Sequence, residues 1–172
     1  MMHSLRFFLI GFIMLVHVLP TRAQEIPAGF GPLRSLIGFC WTAEIEAEEK
    51  DLSTSFNTHC FEPMLGGEFI RDRHSFSNAL GAPVDGESIY KLALEGEVTI
   101  TNLSAVGGIK TALAKVVDDM TLIYHDGDGS RQKNRSRLVL SSPDSYVLIT
   151  EELKRSEWHE LKRIEFFRAK LP

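Results

Sequence analysis

The chain has few of the features that would assign a function directly. Its 172 residues include only two cysteines and two tryptophans, and 23 acidic residues outnumber 19 basic ones, for a formal net charge of −4. A mildly acidic chain without a basic run suits neither nucleic acid nor an anionic membrane, so we exclude both as partners. No apolar run reaches the ~20 residues that a membrane-spanning helix needs.

Motifs of common enzymes and ion sites are also missing. No Gly-x-Ser-x-Gly and no phosphate-binding glycine loop occurs, and neither cysteine has a local base. Residues 126–130 begin like a calcium loop, but Arg131 stands where glycine is required and Arg137 where a bidentate glutamate is required. This segment predicts a hairpin turn. We therefore expect a binding protein rather than an enzyme, with no metal and no cofactor.

The first residues predict export. Residues 1–23 contain Arg6, then an apolar stretch at 7–19, then small residues ending at Ala23, which is the layout of a secretory signal peptide. We expect cleavage after Ala23 and a mature chain of residues 24–172, long enough for one domain. Cleavage removes two arginines and no acid, so the net charge becomes −6. The predicted location is the periplasm or the cell exterior.

The two cysteines lie where a hairpin could join them. An exported protein meets an oxidising compartment, in which Cys40 and Cys60 can form a disulfide. A hairpin centred near Lys50 would place them opposite each other, and the bridge would add ~3 kcal/mol to stability. The alternative is a pair of buried free thiols, because geometry rather than spacing decides whether a bridge forms.

Hydrophobic alternation predicts an all-β fold. From Trp41 onward apolar residues tend to alternate, and turn-forming clusters recur between them, as in short antiparallel strands. Only residues 31–37 look helical. A closed meander barrel is favoured over a sandwich, because no predicted strand combines proline with lysine, as strands that blunt an exposed edge do. The ten predicted strands are residues 39–46, 55–62, 68–77, 87–94, 97–104, 109–117, 120–125, 136–141, 145–152 and 157–169.

Two segments resemble known barrels. Residues 36–41, LIGFCW, resemble the start of calycin-type barrels, the lipocalin and fatty-acid-binding-protein group, in which a short helix leads into a glycine and then a tryptophan. Residues 59–74, HCFEPMLGGEFIRDRH, resemble small exported lipocalin-like proteins of bacteria. The resemblance implies a calycin-like barrel with a small, largely apolar ligand, and it implies no particular activity. Related nitrobindin-type barrels bind haem through a histidine on a late strand, where His159 lies here.

The faces of the early strands indicate a candidate interior. In a register whose paired positions sum to 100, Trp41 faces His59 and the cysteines lie on the opposite, outer face. On the third strand both faces mix charged and apolar residues, and a charge inside a barrel must be paired, hydrated or bound. We expect Arg71 to have a partner inside the barrel and Arg73 to lie nearer the rim. The predicted ligand-lining residues are Trp41, His59, Arg71, His74 and Tyr90.

The histidines leave alternatives open. His59 and His74 lie on adjacent strands without a third ligand in a fixed local spacing, which favours ordinary hydrogen-bonded histidines over a metal site. One alternative function is a haem-binding or haem-dependent redox barrel, with His59, His74 or His159 as the axial ligand. Another is a barrel with a filled interior that acts through its surface as a protein-interaction module.

Overall fold

The computed structural model describes residues 25–45, 55–77, 82–94, 96–105, 107–125 and 133–169. A 3-10 turn, Ala28–Phe30, and a short helix α1, Leu33–Leu36, precede the strands. The strands are β1 Cys40–Ile45, β2 Ser55–Met64, β3 Phe69–Ser77, β4 Pro83–Leu92, β5 Glu97–Ser104, β6 Gly108–Val116, β7 Thr121–His125, β8 Asn134–Ser142, β9 Ser145–Lys154 and β10 Glu157–Arg168. The predicted signal peptide at 1–23 and the loop at 126–130 lie outside the described residues.

The strands form a closed antiparallel barrel. Each strand pairs with the next along the chain, and β1 pairs with β10, so the sheet closes on itself. This confirms the predicted ten-stranded meander barrel. Closure removes the exposed edges that would otherwise invite aggregation. Among the described residues, no helix has both the length and the apolar character needed to cross a bilayer.

All ten predicted strands are present, and the largest difference is at the start of β4. We predicted that this strand begins at residue 87, but it starts at Pro83. Proline is tolerated at the first residue of a strand, where its missing N–H costs least. Gly86 consequently lies within the strand, directly opposite His74 of β3.

The segment before β1 covers one end of the barrel, which we call the closed end. Phe30, Leu33 and Leu36 are fully buried in the core. The Nε1 of Trp41 donates a hydrogen bond to the carbonyl oxygen of Leu36 at 3.1 Å. Gly31 has a φ of 53°, and a Cβ there would collide with Val116 of β6. The close approach of the segment to the barrel therefore requires glycine at this position.

The predicted disulfide is present. Cys40 and Cys60 are register partners on β1 and β2, with a Cα–Cα distance of 4.0 Å. Trp41 pairs with His59 in the same register, as predicted. Because side chains alternate along a strand, the bridge lies on the outer face of the barrel.

The interior next to the closed end is apolar and aromatic. Tyr146 and Phe166 stack with ring centroids 4.7 Å apart, and Trp41 meets Tyr146 edge-on at 5.5 Å. Burying each such side chain contributes ~1.5–3 kcal/mol. The core also contains Ile70, Val98, Leu122 and Leu138.

A separate ionic cluster lies on the outer face of β8 and β9. Glu151 accepts hydrogen bonds from Arg135 Nε at 2.6 Å and from Arg137 Nη2 at 2.9 Å. Burial alone would raise the pKa of Glu151, but the bonds from Arg137 and Arg135 outweigh it, so this pKa lies below its ordinary value. Arg135 also stacks on Trp158, 4.1 Å from the ring centroid. The cluster therefore joins three strands from outside.

Candidate functional site

Three polar side chains meet inside the barrel, in the middle of β2 and β3. Asp72 and His74 lie two residues apart on β3 and so share its inner face, and His59 is the register partner of His74. We call these three residues the His–Asp–His cluster. It lies beyond the apolar layer, on the side away from the closed end.

The cluster is held by one short hydrogen bond. His59 Nδ1 lies 2.7 Å from Asp72 Oδ2, and because a carboxylate only accepts, Nδ1 is the donor. His74 Nδ1 is 3.6 Å from the same oxygen, which is too long for a hydrogen bond. Within the described residues, Asp72 Oδ1 and His74 Nδ1 have no hydrogen-bond partner. The cluster therefore has unused acceptor capacity.

Burial differs sharply within the cluster. The side chain of Asp72 is only 2% exposed, whereas those of His59 and His74 are 19% and 11% exposed. Burial by itself would raise the pKa of Asp72, but the interactions with His59 and His74 outweigh it, so the pKa lies below its ordinary value. Asp72 is therefore a buried carboxylate that stays ionised at neutral pH.

Aromatic rings surround the cluster. The His59 ring stacks with His74 at 5.4 Å and with Phe61 at 6.2 Å, and it meets Phe166 edge-on at 5.1 Å. These contacts hold the ring in one orientation, as expected for offset and edge-on aromatic pairs.

Three tyrosines of the inner face lie near the same carboxylate, of which Tyr90 and Tyr146 are buried and Tyr124 is partly buried. A hydrogen bond joins the side chains of Tyr90 and Tyr124. Burial, with a further contribution from the negative charge of Asp72, raises the pKa of Tyr90, Tyr124 and Tyr146. All three hydroxyls therefore stay neutral and can donate hydrogen bonds inside the barrel.

Small residues make room on the facing strands. A Cβ on Gly86 would collide with His74 Nε2, so the imidazole occupies the space that a side chain on β4 would fill. Ser88, next on the inner face of β4, accepts a hydrogen bond from Asn102 Nδ2 at 3.1 Å. On β6 the inner face carries Ala112 and Ala114.

Part of the interior is reached by solvent. Ala112, Tyr124, Leu148 and Ile164 lie on the inner face and pack against the core, yet all are only partly buried. Fully packed interiors leave no such exposure in mid-strand. Solvent therefore reaches part of the inner face on β6, β7, β9 and β10.

A depression on the outer surface borders the cluster as well. It has a volume of about 710 Å³ and is lined by residues of β2 to β6, including Arg73, Glu87 and Ile109. His74 and Gly86 also line it.

Four of the five predicted ligand-lining residues lie on the inner face, and one does not. Trp41, His59, His74 and Tyr90 point inward, although Trp41 lies at the closed end, apart from the cluster. The expectation for Arg71 is wrong: its side chain is 34% exposed and lies on the outer face.

The partner of Arg71 explains its placement. Arg71 Nε donates to Glu62 Oε1 at 2.5 Å, and Glu62 is its register partner on β2. Arg73, also on the outer face, lies 3.5 Å from the same glutamate oxygen. The two arginines thus share an exposed carboxylate instead of entering the interior.

Sequence reasoning missed Asp72 and Gly86. The signal for Asp72 was the pattern Asp-x-His, which places both side chains on one strand face. Combined with the β2–β3 register, it would have supplied the third polar group beside His59 and His74. Gly86 lay between two predicted strands, in a segment that contains glycine and proline, and so was not considered as part of the inner face.

The arrangement can accept hydrogen bonds or ligate an ion. Both cysteines are bridged, and the cluster offers a carboxylate oxygen and imidazole nitrogens as acceptors or ligands. No protein-family model matches the chain, and no curated protein matches it either.

Proposed function

We propose that this chain is an exported binding protein whose barrel holds a small, largely apolar molecule. The observation that carries the proposal is the division of the inner face into an apolar, aromatic part and the His–Asp–His cluster with its unpaired Asp72 Oδ1. Small-molecule sites typically combine apolar walls with a few fixed polar groups. An eight- to ten-stranded barrel is wide enough to hold one small ligand.

The polar group of the ligand would meet the cluster. Asp72 Oδ1 accepts hydrogen bonds, so a hydroxyl or amine on the ligand complements it. The hydroxyls of Tyr90 and Tyr124 are hydrogen-bonded to each other, so one of the two would remain free to donate to the ligand. Phe61 and Phe166 would contact the apolar part, since both pack against His59.

The environment of His59 argues against haem as the ligand. Its ring is packed against Phe61, His74 and Phe166. A macrocycle on His59 would have to displace these rings. His159 is exposed on β10 and lacks such an enclosure.

Native mass spectrometry of freshly isolated, untagged protein tests the proposal. We expect an additional mass that disappears on unfolding, and binding of 1-anilinonaphthalene-8-sulfonate to protein freed of that mass. Ala112→Leu should weaken dye binding because it fills the interior, whereas Thr111→Leu, its outward-facing neighbour on β6, should not. No added mass and no dye binding, or equal binding by the two variants, would reject an interior ligand site.

Export is tested separately. N-terminal sequencing of protein recovered from outside the cytoplasm should begin at Gln24, the residue after the predicted cleavage point. Sequence starting at Met1 would contradict export through a cleaved signal peptide.

A further inference from the structure

We infer that the His–Asp–His cluster is a binding site for a divalent transition-metal ion, with His59, Asp72 and His74 as protein ligands. Each residue offers one ligand atom, and these atoms all lie within 4.8 Å of one another. The inference concerns the same cluster as the organic ligand proposed above, and it is tested with the metal ion alone.

The separations between donor atoms lie on either side of those in a metal site. A zinc ion lies ~2.0–2.2 Å from nitrogen and oxygen ligands, so ligand atoms around it are about 3.0–3.5 Å apart. Asp72 Oδ2 is 2.7 Å from His59 Nδ1 and 3.6 Å from His74 Nδ1. A metal ion at this point would replace the proton between His59 Nδ1 and Asp72 Oδ2, which is released to solvent, and small side-chain rotations would then bring the three donors to coordination distance.

The hydrogen-bonded strands hold the donors in place. His59 and His74 are register partners on β2 and β3, and Asp72 is the next inward residue on β3. Facing side chains on antiparallel strands have Cβ atoms ~4.5–5.5 Å apart. The backbone therefore arranges the site before any ion binds, which lowers the cost of ordering it.

The charge balance of the site favours a cation. Asp72 is almost completely buried, and among the described residues its ionic neighbours are the two imidazoles, with no lysine or arginine. Buried carboxylates ordinarily have all their oxygen atoms hydrogen-bonded. Here Asp72 Oδ1 and His74 Nδ1 remain unpaired, and a bound cation would satisfy both.

The donor set indicates the class of ion. Imidazole nitrogen suits Zn²⁺, Fe²⁺ and related ions, whereas Mg²⁺ and Ca²⁺ prefer oxygen-only sites. Two histidines and one carboxylate occupy one side of an ion and leave other positions for water or a bound molecule. Both cysteines are in the disulfide, so thiolate ligation is excluded.

Zinc titration of untagged full-length protein, first stripped with a chelator, tests the inference by isothermal titration calorimetry. We expect one Zn²⁺ per chain for the wild type and for the matched control His159→Gln, whose histidine is exposed on β10. His59→Gln and His74→Gln should each weaken binding by more than ~100-fold, since even outer-shell changes cost 10–100-fold. Asp72→Asn should have a similar effect.

A second measurement on the wild type avoids dependence on variants that fail to fold. With Co²⁺ in place of Zn²⁺, proton NMR should show paramagnetic shifts for the ring protons of His59 and His74, with those of His159 unchanged. Absence of Zn²⁺ uptake by the wild type, shifts confined to other histidines, or undiminished binding by both glutamine variants would overturn the inference. The cluster would then be a structural hydrogen bond.

Discussion

Gly86→Ala is the sharpest probe of the interior. The φ of Gly86 lies outside the left-handed region, so alanine costs no backbone strain there, but its Cβ would collide with His74 Nε2 and lie 3.0 Å from the carbonyl oxygen of Leu103. Overpacking of this kind costs ~1–3 kcal/mol. Loss of glycine freedom in the unfolded chain offsets this by ~0.4–1 kcal/mol.

Gly107→Ala separates these two effects. A Cβ on Gly107 would lie 3.6 Å from the Ser104 side chain, which is an ordinary contact. This variant should therefore gain the stability that comes from restricting the unfolded chain, without a collision in the folded one. The free energies of unfolding of Gly86→Ala and Gly107→Ala should therefore differ by ~1–3 kcal/mol. Urea titrations with unchanged m-values measure the difference.

A double variant identifies the colliding group. In a His74→Ala background the imidazole is gone, so Gly86→Ala should lose most of its penalty, and the two changes should be clearly non-additive. Equal stability of Gly86→Ala and Gly107→Ala, or full additivity with His74→Ala, would refute the placement of the His74 ring against β4.

Three further outcomes follow from other contacts. Replacing both cysteines of the Cys40–Cys60 bridge with alanine should lower the free energy of unfolding by ~3 kcal/mol, because the bridge closes a separation of 20 residues, and reductant should have the same effect on the wild type. Arg71→Ala and Arg73→Ala should each lose only ~0–1 kcal/mol, as partly exposed ion pairs do; a loss above ~2 kcal/mol for Arg71 would contradict its outward placement. Glu151→Gln should lower stability most at neutral pH. The pKa of Glu151 is lower in the folded chain than its value of ~4.3 in the unfolded chain, so its carboxylate stabilises the fold above that pH. This contribution is lost as the pH falls through the folded pKa. Urea titrations of wild type and variant at pH 7 and pH 3 should converge at the lower pH, and a constant difference would contradict this.

Much of the barrel could be predicted from local pattern. Alternation of apolar residues located all ten strands, because side chains of a half-buried strand must point alternately to core and solvent. The first hairpin was predictable in register as well, since pairing Cys40 with Cys60 also places Trp41 opposite His59. Both inferences depend on neighbours within about twenty residues along the chain.

The content of the interior was decided by tertiary structure. On β3 the two faces, with Arg71 on one and Asp72 on the other, are almost equally polar, so alternation alone does not show which face is buried. The choice is made by contacts across the neighbouring strands: Glu62 of β2 pairs with Arg71 on the outside, and Gly86 of β4 leaves space for His74 within. Burial of a charge depends on what surrounds it in three dimensions, and closure of β1 onto β10 completes those surroundings only once the whole chain has folded.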